Sequence, residues 1–182
     1  MDITKICITG PESTGKSTLA KNLSDYYQAP LVPEFAREYI SKLDRKYQLE
    51  DLLVIAKEQV KSVETKTNEW LDLVSREENR SFVFCDTDVI TIDIWMQDKF
   101  NNDNSLLKEM VSENLSDLYL LCYPDLKWDP DPQREDPDRQ HLLFREYENY
   151  LDSLGVAFVI VKGDGMDRIK CAKEHISKFF PE

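Results

Sequence analysis

The stretch ICITGPESTGKSTLAKNL, residues 6–23, decides the fold. Its first residues favour a strand, the chain then winds through Gly10 to Thr14, and a helical pattern restarts at Gly15-Lys16-Ser17. Residues 10–17, GPESTGKS, fit the G-x-x-x-x-G-K-[ST] spacing in full, with an apolar strand before and a helix after, the context this motif requires. Glycines let successive backbone N–H groups close around an anion, and the helix N-terminus adds its partial positive charge. Gly10, Glu12, Ser13, Thr14, Gly15, Lys16, Ser17 and Thr18 are therefore expected to bind a nucleotide, ATP, as cofactor. Lys16 is expected to reach the β- and γ-phosphates and the Ser17 hydroxyl to ligate Mg²⁺.

Outward from this loop, apolar runs alternate with helical stretches. ITKICIT (3–9), APLVPE (29–34), SFVFCD (81–86), DLYLLCYP (117–124) and VAFVIV (156–161) read as strands. Helices are expected over 16–26, 35–43, 49 to about 78, 89–99, 105–114, 139–154 and 166–179. Strands separated by helices predict the α/β class: a three-layer P-loop NTPase fold, with a five-stranded parallel sheet covered by helices on both faces. A Pro- and Asp-rich segment, about 124–139, has no helical or strand pattern and reads as a lid.

The 182 residues suit one domain, 1–182, with a full hydrophobic core. A net charge of -12 argues against nucleic acid as partner, because polyanion binders carry a basic surplus. A small phosphorylated ligand needs only a local positive site. No apolar run approaches the ~20 residues that cross a bilayer, so no membrane partner is expected. The start, MDITKICITG, has no basic and apolar leader, which points to the cytoplasm. Cys7, Cys85 and Cys122 lie inside apolar runs and read as core thiols; oligomeric state is not legible.

A phosphate cradle needs an acid for the metal. Asp86 ends the third strand, where strand carboxyl ends open onto the ligand crevice, and is expected in the metal shell with Ser17. Asp88 is a second candidate, for metal or base. No Asp-x-x-Gly turn follows the third strand and no Asn/Thr-Lys-x-Asp motif reads a guanine, which separates the chain from GTPase switches. Glu34, after the second strand, could hold or deprotonate an acceptor hydroxyl, with Arg37 one turn on along the same face. Arg134 and Arg139 in the lid could neutralise a transferring phosphoryl group. Lys16, Glu34, Asp86, Asp88, Arg134 and Arg139 are thus the candidate catalytic set, and the base stays open among Glu34, Asp86 and Asp88.

GPESTGKSTL, PEFAREYI, FCDTDVIT, and KWDPDPQR followed by DRQHLLF together resemble the ribosylnicotinamide kinase domain of NadR-type proteins, in order along nearly the whole chain. The resemblance implies ATP-dependent phosphorylation of nicotinamide riboside to the mononucleotide, with a small nucleoside-like substrate as partner. It also implies that Trp128 and Asp131 of the lid join Glu34 and Arg37 in binding substrate. The DNA-binding and adenylyltransferase roles of longer members are not expected, since the chain begins at the kinase strand. One departure concerns the acceptor: the family has a Trp before the Glu that follows strand two, where this chain has Pro33. Tyr26, Tyr27, Phe35, Tyr39 and Trp128 are the possible substitutes. The alternatives are a kinase for thiamine or a deoxynucleoside and, in a different class, an ATP-binding regulatory module.

Overall fold

The computed structural model describes residues 3–74 and 81–181. Strand β1 (Ile3–Thr9) leads through the loop into α1 (Lys16–Tyr27); β2 (Leu31–Val32), α2 (Phe35–Ser41) and α3 (Leu49–Leu73) follow. Then come β3 (Ser81–Asp86), α4 (Val89–Phe100), α5 (Ser105–Glu113), β4 (Leu118–Cys122), α6 (Gln140–Leu154), β5 (Phe158–Val161) and α7 (Gly165–Phe179). The part of the helix expected beyond residue 74 lies outside the described residues.

All four strand pairings are parallel, in the order β2-β3-β1-β4-β5. Alternation along the strands divides the core into two layers. Ile6 and Ile8 of β1, Phe84 of β3 and Leu118 and Leu120 of β4 pack with Leu19 and Leu23 of α1 and Ala172 and Ile176 of α7. The residues between them, Cys7, Val83, Cys85, Tyr119 and Leu121, meet α3, α4, α5 and α6 on the opposite face. Cys7, Cys85 and Cys122 are buried thiols, as expected. No helix among the described residues is long and apolar enough to cross a membrane.

Strand β2 is shorter than its sequence suggests. Pro30 and Pro33 bracket Leu31–Val32 and lack the N–H a ladder needs, so pairing with β3 stops at two residues. Residues 124–139 carry no helix or strand and cross over the carboxyl end of the sheet, where they meet the loop after β1.

Candidate active site

The loop between β1 and α1 is fixed by its backbone. Gly10 has φ 129° and Gly15 φ 74°, in the region that favours glycine. A Cβ on Gly10 would stand 2.9 Å from the Cys122 carbonyl oxygen, so a side chain there would push the loop off β4. Thr14 Oγ1 and Lys16 Nζ each donate to the Pro11 carbonyl at 2.8 Å, which folds the lysine back over the loop. Beneath it lies Arg168 of α7, a buried guanidinium. It donates to the carbonyls of Thr14 (3.0 Å), Tyr123 (3.0 Å) and Gly163 (2.8 Å) and pairs with Asp125.

Lys16 and Ser17 open α1 at the crevice floor, and Asp86 stands beside them at the end of β3. Its carboxyl is hydrogen-bonded to Ser17, and burial raises its pKa, opposed by that bond and by the Lys16 and Arg37 charges. The Oδ1 atom of Asp86 is buried without a partner. One orphaned carboxylate oxygen beside one hydroxyl is the donor set that Mg²⁺ takes when nucleotide phosphates complete its shell. Among the described residues no cluster of three His, Cys, Asp or Glu could hold a metal by itself. The residues at hand fit an ion that arrives with its nucleotide.

Glu34 lines the crevice. It shares the lining with Lys16 and Arg37, and burial raises its carboxyl pKa, with Lys16 the largest opposing charge. Its position comes from Gln59 of α3, a fully buried amide. Gln59 accepts from the Phe35 N–H at 2.8 Å and donates to the Pro33 carbonyl at 3.4 Å, so both neighbours of Glu34 are tied to α3. Gln59 had only the spacing of a core position; a polar residue inside a buried helical stripe was the available signal.

The lid closes over the loop by backbone contacts and ion pairs. The Glu12 carboxylate accepts from the N–H groups of Glu135 (2.9 Å) and Asp136 (3.4 Å), and Ser13 Oγ accepts from Asp129 N at 2.9 Å. Gln140 Nε2 donates to the Glu12 carbonyl at 2.8 Å. Arg37 pairs with Asp131, Arg134 with Asp129, Lys99 of α4 with Glu135 and Asp136, and Arg139 with Asp98 and Asp136. The crevice thus brings together residues 10–18, Glu34, Arg37 and Arg134, with Asp86 behind Ser17 and Asp131 held by Arg37.

Five expected residues fall outside the lining: Asp86 and Asp131, which touch it through Ser17 and Arg37, and Asp88, Arg139 and Trp128. Asp88 is turned away: Thr87 takes φ 66°, rare for a β-branched residue, and the Asp88 carboxyl enters the core, where it accepts from Ile90 N at 3.0 Å and caps α4. It therefore reaches neither the metal position nor the acceptor. Arg139 is engaged at the rim by Asp98 and Asp136, and Trp128 is not among the lining residues. Nor are the other aromatic substitutes for Pro33: Tyr27 packs on Phe82 with Tyr26 against it, and Phe35 stacks near Tyr39. The aromatic lining consists instead of Trp95 of α4 and Tyr147 of α6.

The sequence profile of a family described as an AAA domain matches residues 5–168. The chain belongs to this AAA domain family. Among solved structures, this AAA domain is similar to the NadR protein in complex with NR, with TM-score 0.81 and 21% identity over 98% of this chain. It is also similar to the NadR protein in complex with NAD and AMP-PNP, with TM-score 0.76 and 22% identity over 97% of this chain. The chain spans about half of those NadR chains, 51% and 49% respectively. The deoxyadenosine kinase from M. mycoides, with products dCMP and dCDP, follows at TM-score 0.62 and 14% identity, over 96% of this chain and 100% of that one. No curated protein sequence matches the chain. The three-layer P-loop NTPase fold is shared by all of these.

Proposed function

We propose that this AAA domain, acting as one unit over residues 1–182, is a cytoplasmic ATP-dependent kinase of a small nucleoside-like acceptor, nicotinamide riboside first. The observation that carries this reading is Glu34: a carboxylate that shares the crevice lining with Lys16 and Arg37 and lies near enough to both Lys16 and Tyr147 for the charges to act on one another. A nucleotide switch needs no buried carboxylate there; a phosphoryl acceptor with a hydroxyl does. The likeness to NadR solved with NR supports the choice of acceptor.

In this reading the loop N–H groups and Lys16 hold the β- and γ-phosphates, and Lys16 leaves the Pro11 carbonyl to do so. Ser17 and Asp86 would hold Mg²⁺, which would neutralise negative charge on the β- and γ-phosphates. Glu34 accepts the proton of the acceptor hydroxyl as the oxygen attacks the γ-phosphorus, and ADP leaves with the β–γ bridging oxygen. Arg37 and Arg134 stabilise charge on the transferring group, which requires them to exchange Asp131 and Asp129 for phosphate oxygens. Asp131 thereby acts as the resting partner of Arg37, while Arg139 and Trp128 keep a role in the lid.

The test is an ATP-consumption assay over nicotinamide riboside, thiamine, thymidine and deoxyadenosine, with products weighed by mass spectrometry. Nicotinamide mononucleotide is the expected product. A different phosphorylated acceptor overturns the substrate and leaves the kinase standing; ATP binding without any product favours a regulatory module.

A further inference from the structure

A second cavity, of about 300 Å³, lies on the α3 flank of the sheet, bounded by α3, the start of α4 and the turn that leads into β4. It shares no lining residue with the crevice, and its volume falls at the lower end of small-molecule sites. Asp88, only 5% exposed, belongs to its lining. Oδ1 of this carboxyl accepts from the Ile90 N–H at 3.0 Å, whereas Oδ2 is buried without a partner, although Tyr119 and Cys7 approach the carboxyl from the sheet. Thr67 Oγ1, in the same lining, is also buried without a partner. Lys5 of β1 joins them; it is half-buried, and its ammonium makes no ion pair among the described residues. One cavity thus holds a carboxylate and an ammonium that do not meet, with Val60, Val63 and Val89 as its apolar lining. Polar groups left unpaired in a protein interior cost free energy, which a ligand that pairs with them returns.

We propose that this cavity is a second ligand site, for a small zwitterion that carries an ammonium and a carboxylate on a short apolar body. The ammonium pairs with Asp88, the carboxylate with Lys5, and the body lies against Val60 and Val63. A purely cationic ligand is opposed by Lys5, and a purely anionic one by Asp88 and by Glu64 at the exposed rim. The inner wall of the cavity is Gln59, the buried amide that also faces the crevice acids from behind. Its Oε1 accepts from the Phe35 N–H, and its Nε2 donates to the Pro33 and Thr87 carbonyls at 3.4 and 3.5 Å. An occupant therefore steadies both neighbours of Glu34, and Thr87, which separates Asp86 from Asp88. Binding energies are reciprocal, so the zwitterion and Mg·ATP tighten one another's hold. The site goes beyond the kinase reading and is tested by binding alone.

The experiment is equilibrium dialysis of the full chain against four probes. L-valine and 4-aminobutyrate carry both charges at two spacings; isobutylamine and isovalerate carry one charge each. At least one zwitterion is expected to bind, and the single-charge probes about tenfold or more less tightly, the loss of one hydrogen bond to a charged group. Lys5→Met and Asp88→Asn should each weaken the zwitterion by about the same factor, and Val63→Phe, which fills the cavity, should abolish its binding. Saturating zwitterion should tighten Mg·ATP binding about fivefold in the parent, and not at all in Val63→Phe. Isobutylamine that binds as well as the zwitterion, or zwitterion binding unchanged in Lys5→Met, overturns the proposal. Failure of all four probes to bind overturns it too, and leaves a cavity that holds water only. Zwitterion binding that is lost in Val63→Phe but leaves Mg·ATP affinity unchanged upholds the site and rejects its link to the crevice. A parent that binds the zwitterion but no Mg·ATP upholds the site and rejects the kinase reading instead.

Discussion

The two walls of the crevice are built by different means. The wall formed by residues 10–18 stands on a buried sheet, and Arg168 nails its Thr14 carbonyl to the ends of β4 and β5 from below. The opposing lid has no ladder and no buried core of its own. It is held by Arg37, Lys99, Arg134 and Arg139 against acids, with Arg37 more than half exposed and Asp129 exposed, and by three lid N–H groups that donate to Glu12 and Ser13. Buried bonds to carbonyls resist opening; partly solvated ion pairs are each worth only ~0–1 kcal/mol and exchange readily with solvent or phosphate. The difference assigns rigidity to the donor side and mobility to the side that must admit substrate.

The largest expected effect strikes the first wall's chemistry without its frame. Lys16→Ala should lower kcat at least about 10³-fold, the cost of a lost donor to transition-state charge, while leaving the thermal midpoint near that of the parent. Full turnover in that variant, in the assay described above, would overturn the donor site. Arg168→Met attacks the frame instead. It strands the Thr14, Tyr123 and Gly163 carbonyls and the Asp125 carboxylate, and should cost about 3 kcal/mol by urea unfolding. A loss below about 1 kcal/mol would mean that the loop's own backbone suffices and that the contrast between the walls is smaller than drawn.

How much of this was legible follows the same division. The donor wall is one contiguous stretch, and strand, turn and helix chemistry all agree within residues 6–23, so motif and geometry coincide. Glu34 and Arg37 were legible because they lie directly after a strand, at the end where such sheets open. Arg168 and Gln59 were not, because each acts on a segment far away in sequence, and no local pattern sets a buried arginine apart from a surface one. Asp88 misled for a local reason. Two residues after Asp86 it looks like a second acid on the same rim, but the left-handed turn at Thr87 reverses its direction into the core.

That reversal has a measurable consequence. Burial raises the Asp88 pKa to about 6, against an ordinary carboxylate value of 3.8. The folded state therefore holds this proton more tightly than the unfolded chain. The stability it confers is complete below pH ~4 and is lost as pH rises through about 6, amounting to about 2–3 kcal/mol. Asp88→Asn keeps a helix-capping side chain and has no charge to bury. Its urea midpoint should exceed the parent's at pH 7.5 and match it near pH 4, and its kcat should fall much less than that of Asp86→Asn. Equal losses in the two variants would put Asp88 back in the reaction.

The smallest effect belongs to the lid. Raising NaCl from 0.05 to 0.5 M shortens the screening length from roughly 14 to 4 Å, enough to weaken partly exposed pairs such as Arg134–Asp129 but not the hydrogen bonds from lid N–H groups to Glu12 and Ser13. If the ion pairs govern closure, trypsin cleavage at Lys127 and Arg134 should quicken about three- to fivefold, the ratio that ~1 kcal/mol gives. The reference is a peptide of residues 120–140 cut under the same conditions, which removes the effect of salt on the protease. Cleavage that ignores salt would show that Glu12 and Ser13 hold the lid by its backbone. In that case Glu12→Gln, which leaves a weaker, neutral acceptor for the Glu135 N–H, should open the lid where salt does not.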